Sequence, residues 1–126
     1  MASVPDPRDK LREVPRVRQR PGEGRRRWFA CPSADLFVWE HDRRIVRVEL
    51  CYGKPHDEHT LSWDDQWGLA HMRIDDGEAH PSKNRTPIAV PDGIFDPSTV
   101  ALEFERLGAV VDPRVYRVVL GLLHGR

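Results

Sequence analysis

The densest group of potential metal ligands in the chain is the run His56-Asp57-Glu58-His59. Imidazole and carboxylate are the donors of zinc-type sites, which need three or four of them. His56 and His59 are therefore the candidate metal-ligating pair, with His71, His80 or Cys51 to complete the sphere. The His-x-x-His spacing is not diagnostic. The same residues also read as a solvated turn leading into a strand, and no cofactor is assigned from them. A second group, Arg47, Glu49, Thr60, His71 and Arg73, falls on alternate positions of neighbouring strands and forms a candidate ligand or partner face. A histidine among opposite charges can hold an anion or move a proton. The competing reading is an ordinary solvated sheet face carrying cross-strand ion pairs.

Other motifs carry less. No G-x-S-x-G elbow, glycine-rich phosphate loop, G-x-G-x-x-G or H-E-x-x-H is present, so no catalytic residue is assigned. Cys51 beside His56 or His71 would make a nucleophile–base pair, but reads more simply as a small strand residue. Asp75-Asp76-Gly77-Glu78 lacks the alternating acids of a calcium loop and reads as a turn. Trp28, Trp39, Trp63 and Trp67 are many indoles for a short chain. Each fits a core, but Phe37 with Trp39, or Trp67, left on an open face would be an interaction anchor.

These residues must be positioned by a single core, since 126 residues do not comfortably supply two. The net charge of zero conceals an asymmetry: residues 1–27 hold nine Lys or Arg against four acids, and the rest hold eleven against sixteen. The first segment also carries Pro5, Pro7, Pro15 and Pro21 and few apolar residues, so residues 1–26 are expected to be a disordered arm before a domain spanning 27–126. The folded part is thus acidic, and nucleic-acid binding is not expected except through the arm. Two cysteines without a C-x-x-C pair indicate neither a secreted scaffold nor a closed zinc knuckle. With no secretory signal and no long apolar run, the expected compartment is the cytoplasm, with no membrane association.

Order is expected to begin at Trp28-Phe29. Leu36 to Trp39 is strand-like, and Ile45 to Tyr52 alternates with period two. Leu61 and Trp63 alternate with Thr60, Ser62 and Asp64, and Gly68 to Asp75 makes a fourth strand, all separated by turn residues. They predict a four-stranded antiparallel meander, with Ala70, Met72 and Ile74 on one side of the last strand. Residues 79–93 read as a loop with a short extended piece at Thr86 to Val90. Asp96-Pro97 and Asp112-Pro113 are N-cap signals, Gly108 is a C-cap signal, and Val100, Phe104 and Leu107, then Val115, Val118, Val119 and Leu122, form helical stripes. The expected fold class is therefore α+β: a four-stranded sheet with two C-terminal helices packed on one face.

The strings Arg27-Trp28-Phe29, Asp35-Leu36-Phe37-Val38-Trp39, Leu50-Cys51-Tyr52-Gly53-Lys54, Glu58-His59-Thr60-Leu61-Ser62-Trp63, His71-Met72-Arg73-Ile74-Asp75-Asp76-Gly77-Glu78 and Thr86-Pro87-Ile88 resemble a family of short uncharacterised bacterial proteins. That resemblance implies one domain starting near Arg27 and no transferable activity. From sequence, the leading function is a non-enzymatic interaction or accessory module with a protein partner or a second copy of itself. The alternative is a small-ligand- or metal-dependent enzyme centred on His59, His71, Glu49 and Cys51.

Overall fold

The computed structural model describes residues 7–54, 57–75, 88–91 and 96–125. Its strands are β1 (Arg12–Glu13), β2 (Arg25–Cys31), β3 (Ala34–His41), β4 (Arg44–Tyr52), β5 (His59–Asp64), β6 (Gly68–Asp75) and β7 (Ile88–Pro91), followed by α1 (Pro97–Leu107) and α2 (Pro113–Leu123). All strands pair in sequence order and antiparallel, so the meander is correct but its width is not: seven strands, or six beside the two-residue β1, rather than four.

The β3–β4 hairpin closes on Asp42 and Arg43, both at positive φ (50° and 67°). That geometry twists two strands correctly for a two-residue turn, and it is held here without glycine. A bulge between Trp39 and Glu40 follows, where the register steps from Arg47 to Ile45. Both helices start as their sequences predict. Asp96 accepts from Ser98 N–H at 3.0 Å and from the Thr99 hydroxyl at 2.8 Å, and Asp112 accepts from Arg114 N–H at 2.9 Å. At the end of α1, Gly108 donates to the Phe104 carbonyl at 2.7 Å.

The helices cover one face of the sheet. Leu36, Val38, Val48, Leu50 and Leu61 from the sheet meet Val100, Phe104, Leu107, Val115 and Val119 from the helices, all buried. Glu40 is the buried acid of this layer (8 % exposed). It accepts from Arg114 at 2.8 Å and Arg27 at 3.2 Å, and Arg27 also reaches Glu13 at 2.8 Å and Asp112 at 3.2 Å. This network fastens β2 and β3 to the start of α2.

The described part of the expected arm, residues 7–26, is built into the domain. Leu11 is fully buried, and its N–H donates to the Leu107 carbonyl at 2.8 Å. Asp9 accepts from Ser33 N–H (3.0 Å) and Oγ (2.7 Å) and from Arg106 (3.3 Å). A proline-rich, basic composition concealed one apolar anchor and two acids with specific partners, Asp9 and Glu13.

The register also moves the expected faces. Leu50, Leu61 and His71 are successive cross-strand partners, as are Tyr52, His59 and Arg73. Cross-strand partners share a face. His71 therefore belongs to the helix-side rows, apart from Arg47, Glu49 and Thr60, while Ala70 and Met72 fall on the other side; of Arg73 only its register opposite His59 is described. The polarity of His71 was misleading because the helix layer does not seal the sheet at β6.

Candidate functional site

Beyond the last core layer, Tyr52, His59 and His71 close a ring cluster. Their centroids lie 5.5 Å (Tyr52–His59), 5.9 Å (Tyr52–His71) and 5.3 Å (His59–His71) apart. Each ring comes from a different strand, β4, β5 and β6, and the register aligns them without help from a loop. The Tyr52 hydroxyl is 2.5 Å from His71 Nε2, and His59 Nε2 is 3.2 Å from Asp57 Oδ1. Tyr52 also packs against the core, which fixes the phenol from below.

The cluster forms one wall of a cavity of about 620 Å³, whose opposite wall is the first turns of α1 with Asp96, Thr99 and Glu103. Val100 and Leu102 add apolar surface. The Asp96 carboxyl is held below its ordinary range by the Thr99 hydroxyl and the Ser98 N–H. Among the described lining residues the formal charges are carboxylates, at Asp57, Asp96 and Glu103, with no lysine or arginine. A hydroxyl bonded to an imidazole is a proton donor and acceptor in one unit. A concave site with an aromatic wall and a few convergent polar groups is also what small-molecule recognition uses.

The sequence-derived sites are distributed differently. His59 and His71 do come together, but Glu49 and Cys51 lie on the opposite face and take no part. Arg47 stacks on Trp39 at 4.4 Å and reaches Glu49 at 3.6 Å, while Thr60 sits 3.5 Å from the Cys51 sulfur. Burial pushes the Cys51 thiol above its ordinary value, against the nucleophile reading. The Cys31 thiol is raised in the same way, and both cysteines are free. His56 and His80 lie outside the described residues, and among the described residues no three His, Cys, Asp or Glu side chains converge on a metal position. Tyr52, Thr99 and Glu103 were missed. Tyr52 had a legible signal, being the last inward residue of the β4 alternation with a hydroxyl that needs a partner.

The open face carries a second feature. Trp28 and Phe37 stack at 5.7 Å with rings 9° apart, and Phe37 is 6.2 Å from Trp39. The Trp28 indole donates to Asp35 at 2.9 Å, and Lys54 pairs with the same carboxylate. Trp67, in the β5–β6 turn, is 87 % exposed.

No family model, curated protein or solved structure matched this chain. Function therefore rests on the site itself. Among the described residues, no helix is long and apolar enough to cross a membrane.

Proposed function

We propose that the cleft between β4–β6 and α1 binds a small molecule and exchanges a proton with it through the Tyr52–His71 pair. The observation that carries this is the 2.5 Å contact between the Tyr52 hydroxyl and His71 Nε2 inside a cavity of about 620 Å³. The carboxylates of Asp57 and Asp96 favour a ligand with a cationic or hydrogen-bond-donating group, while Glu103 is already paired with Arg106 at 2.6 Å. Its flat or apolar part would lie along the Tyr52 and His59 rings. His59, held by Asp57, is the second acid–base group in reach. This is the enzyme-type reading of the histidines, relieved of Glu49 and Cys51.

The test is a titration of the full chain, followed by amide and histidine NMR, with a library of small amines and a matched library of small carboxylates. Amines that shift Tyr52, His59, His71 and Thr99 together, and lose affinity in His71→Ala, support the proposal. A library that leaves those signals in place, or binding confined to the carboxylates, overturns it.

A second reading is favoured by the aromatic run Trp28–Phe37–Trp39 and by Trp67: an interaction module using the open sheet face. Membership of a family of short bacterial proteins and a cytoplasmic setting belong to the same proposal. They are supported by the motif strings and by two free, partly buried thiols.

A further inference from the structure

The arginines of residues 12–26 are not spread along a loose tail. Gln19 clasps the Arg26 backbone from both sides, accepting its N–H at 2.7 Å and donating to its carbonyl at 2.8 Å. Arg26 in turn donates to the Arg18 carbonyl at 2.7 Å, and Val14 N–H bonds the Trp28 carbonyl at 2.8 Å. The segment folds back on β2 and encloses a groove of about 430 Å³ lined by Arg16, Arg25, Arg26 and Gln19, with Glu13 at its wall already paired to Arg27 at 2.8 Å. Arg12, Arg16, Arg18, Arg20 and Arg25 are exposed, and none forms an ion pair among the described residues. The Nε of Arg26 is buried without a hydrogen-bond partner.

The groove adjoins the open aromatic face. Arg26 and Trp28 are two apart on β2 and so lie on the same side of the sheet, with Trp39 and Phe37 as their cross-strand partners. Most acids of that face are engaged: Asp35 with Trp28 and Lys54, Glu49 with Arg47, and Asp64 with the N–H groups of Gln66 and Trp67. Glu23 is exposed beside Trp39 and Arg47, so among the described residues five exposed arginines stand against one exposed, unpaired acid there, with stacked rings beside them.

We propose that this surface binds single-stranded nucleic acid, with phosphates in the Arg16–Arg25–Arg26 groove and a base continuing the Trp28–Phe37 stack. Arginines supply the sequence-independent attraction and aromatic rings the base stacking, the pairing of features that single-strand binders use. A duplex would satisfy the arginines but could offer no splayed base to the rings. An acidic polypeptide would satisfy only the charges.

The experiment uses the full chain in a Trp67→Phe background, which removes the exposed indole from the signal. Fluorescence anisotropy is read with labelled oligothymidylate, and tryptophan emission is followed in parallel. With about three phosphates engaged, affinity should fall about 20-fold between 50 and 200 mM salt. Tryptophan emission should be quenched on binding, and Arg16→Gln/Arg25→Gln, at two exposed positions, should weaken binding about tenfold. Duplex of the same length or poly-glutamate binding as tightly, or oligothymidylate binding without quenching, overturns the proposal by reducing the surface to a charge patch. So does the absence of oligothymidylate binding at low salt.

Discussion

The Tyr52 hydroxyl and His71 Nε2 meet at 2.5 Å although they lie on β4 and β6, which are separated by β5. The contact spans His59, the cross-strand partner of Tyr52, and so ties three strands at the edge of the core. Tyr52→Phe removes the hydroxyl but keeps the ring, so the stack on His59 survives. The expected cost is about 1 kcal/mol, the net worth of one hydrogen bond. The His71 ring resonances should move while those of exposed His124 stay in place, as read by NMR at fixed pH. A variant with unchanged His71 signals would remove the proton-transfer unit from the cleft.

Leu11 anchors a segment that composition alone marks as loose. Its side chain is fully buried against the helix layer, and its N–H caps the Leu107 carbonyl. Leu11→Ala should cost about 3 kcal/mol, the usual range for emptying a closed apolar site. Removing residues 1–26 should cost more, because Asp9 and Glu13 leave with Leu11: Ser33 loses its acceptor, and Arg106 and Arg27 each lose one of their carboxylate partners. Urea unfolding of the three proteins provides the measurement. Equal stability of the truncated and full chains would return residues 7–26 to the status of a tail.

The elements read correctly from sequence are those whose signals are local. Asp96-Pro97, Asp112-Pro113 and Gly108 set the helices through backbone hydrogen bonds made within a few residues, and β4 shows its period over nine. The errors lie where the deciding partner is distant. β2 was missed beyond Trp28-Phe29 because Arg25, Arg26 and Arg27 resemble a charge run, whereas Arg27 is half of an ion-pair network reaching Asp112. On β6 the face was inverted because Leu69, Ala70, His71 and Met72 carry no clean alternation, and only pairing with Leu61 decides it. Of the candidate site, His59 and His71 were legible as chemistry-bearing residues. Their proximity to each other and to Tyr52 follows from register, which a single sequence leaves open by one residue.

Glu40 makes stability depend on acid. Burial alone would push its carboxyl up, but hydrogen bonds from Arg114 and Arg27 outweigh it and hold the group below its ordinary value. A carboxyl depressed in the folded chain takes up protons more readily once unfolded. Its stabilisation is therefore complete above the ordinary range and drains away as pH falls through the folded value. Asp9 has the same sign: burial works against it, and Ser33, Cys31 and Arg106 prevail. Glu40→Gln should cost about 2 kcal/mol at neutral pH, the scale of a hydrogen bond to a charged group. It should also flatten the loss of stability on acidification, measured by urea unfolding across the acid limb. An unchanged slope would assign the acid sensitivity to Asp9 and Glu13.

Gly53 sets the turn that carries Asp57 to the mouth of the cleft. Its φ is +78°, and a Cβ there would run into the Asp57 carbonyl, whose residue donates its N–H back to the Gly53 carbonyl at 2.9 Å. Gly22 is the matched control, with φ +82° and open space around the added atom. Gly22→Ala should therefore show only the left-handed backbone cost of about 1 kcal/mol. Gly53→Ala should cost at least about 2 kcal/mol more, because the collision is with backbone that cannot swing aside. It should also loosen the Asp57–His59 contact, so the His59 ring signals shift in Gly53→Ala and not in Gly22→Ala. Equal destabilisation of the two variants, with His59 undisturbed in both, would mean that the turn yields easily and does not hold Asp57 over the cleft.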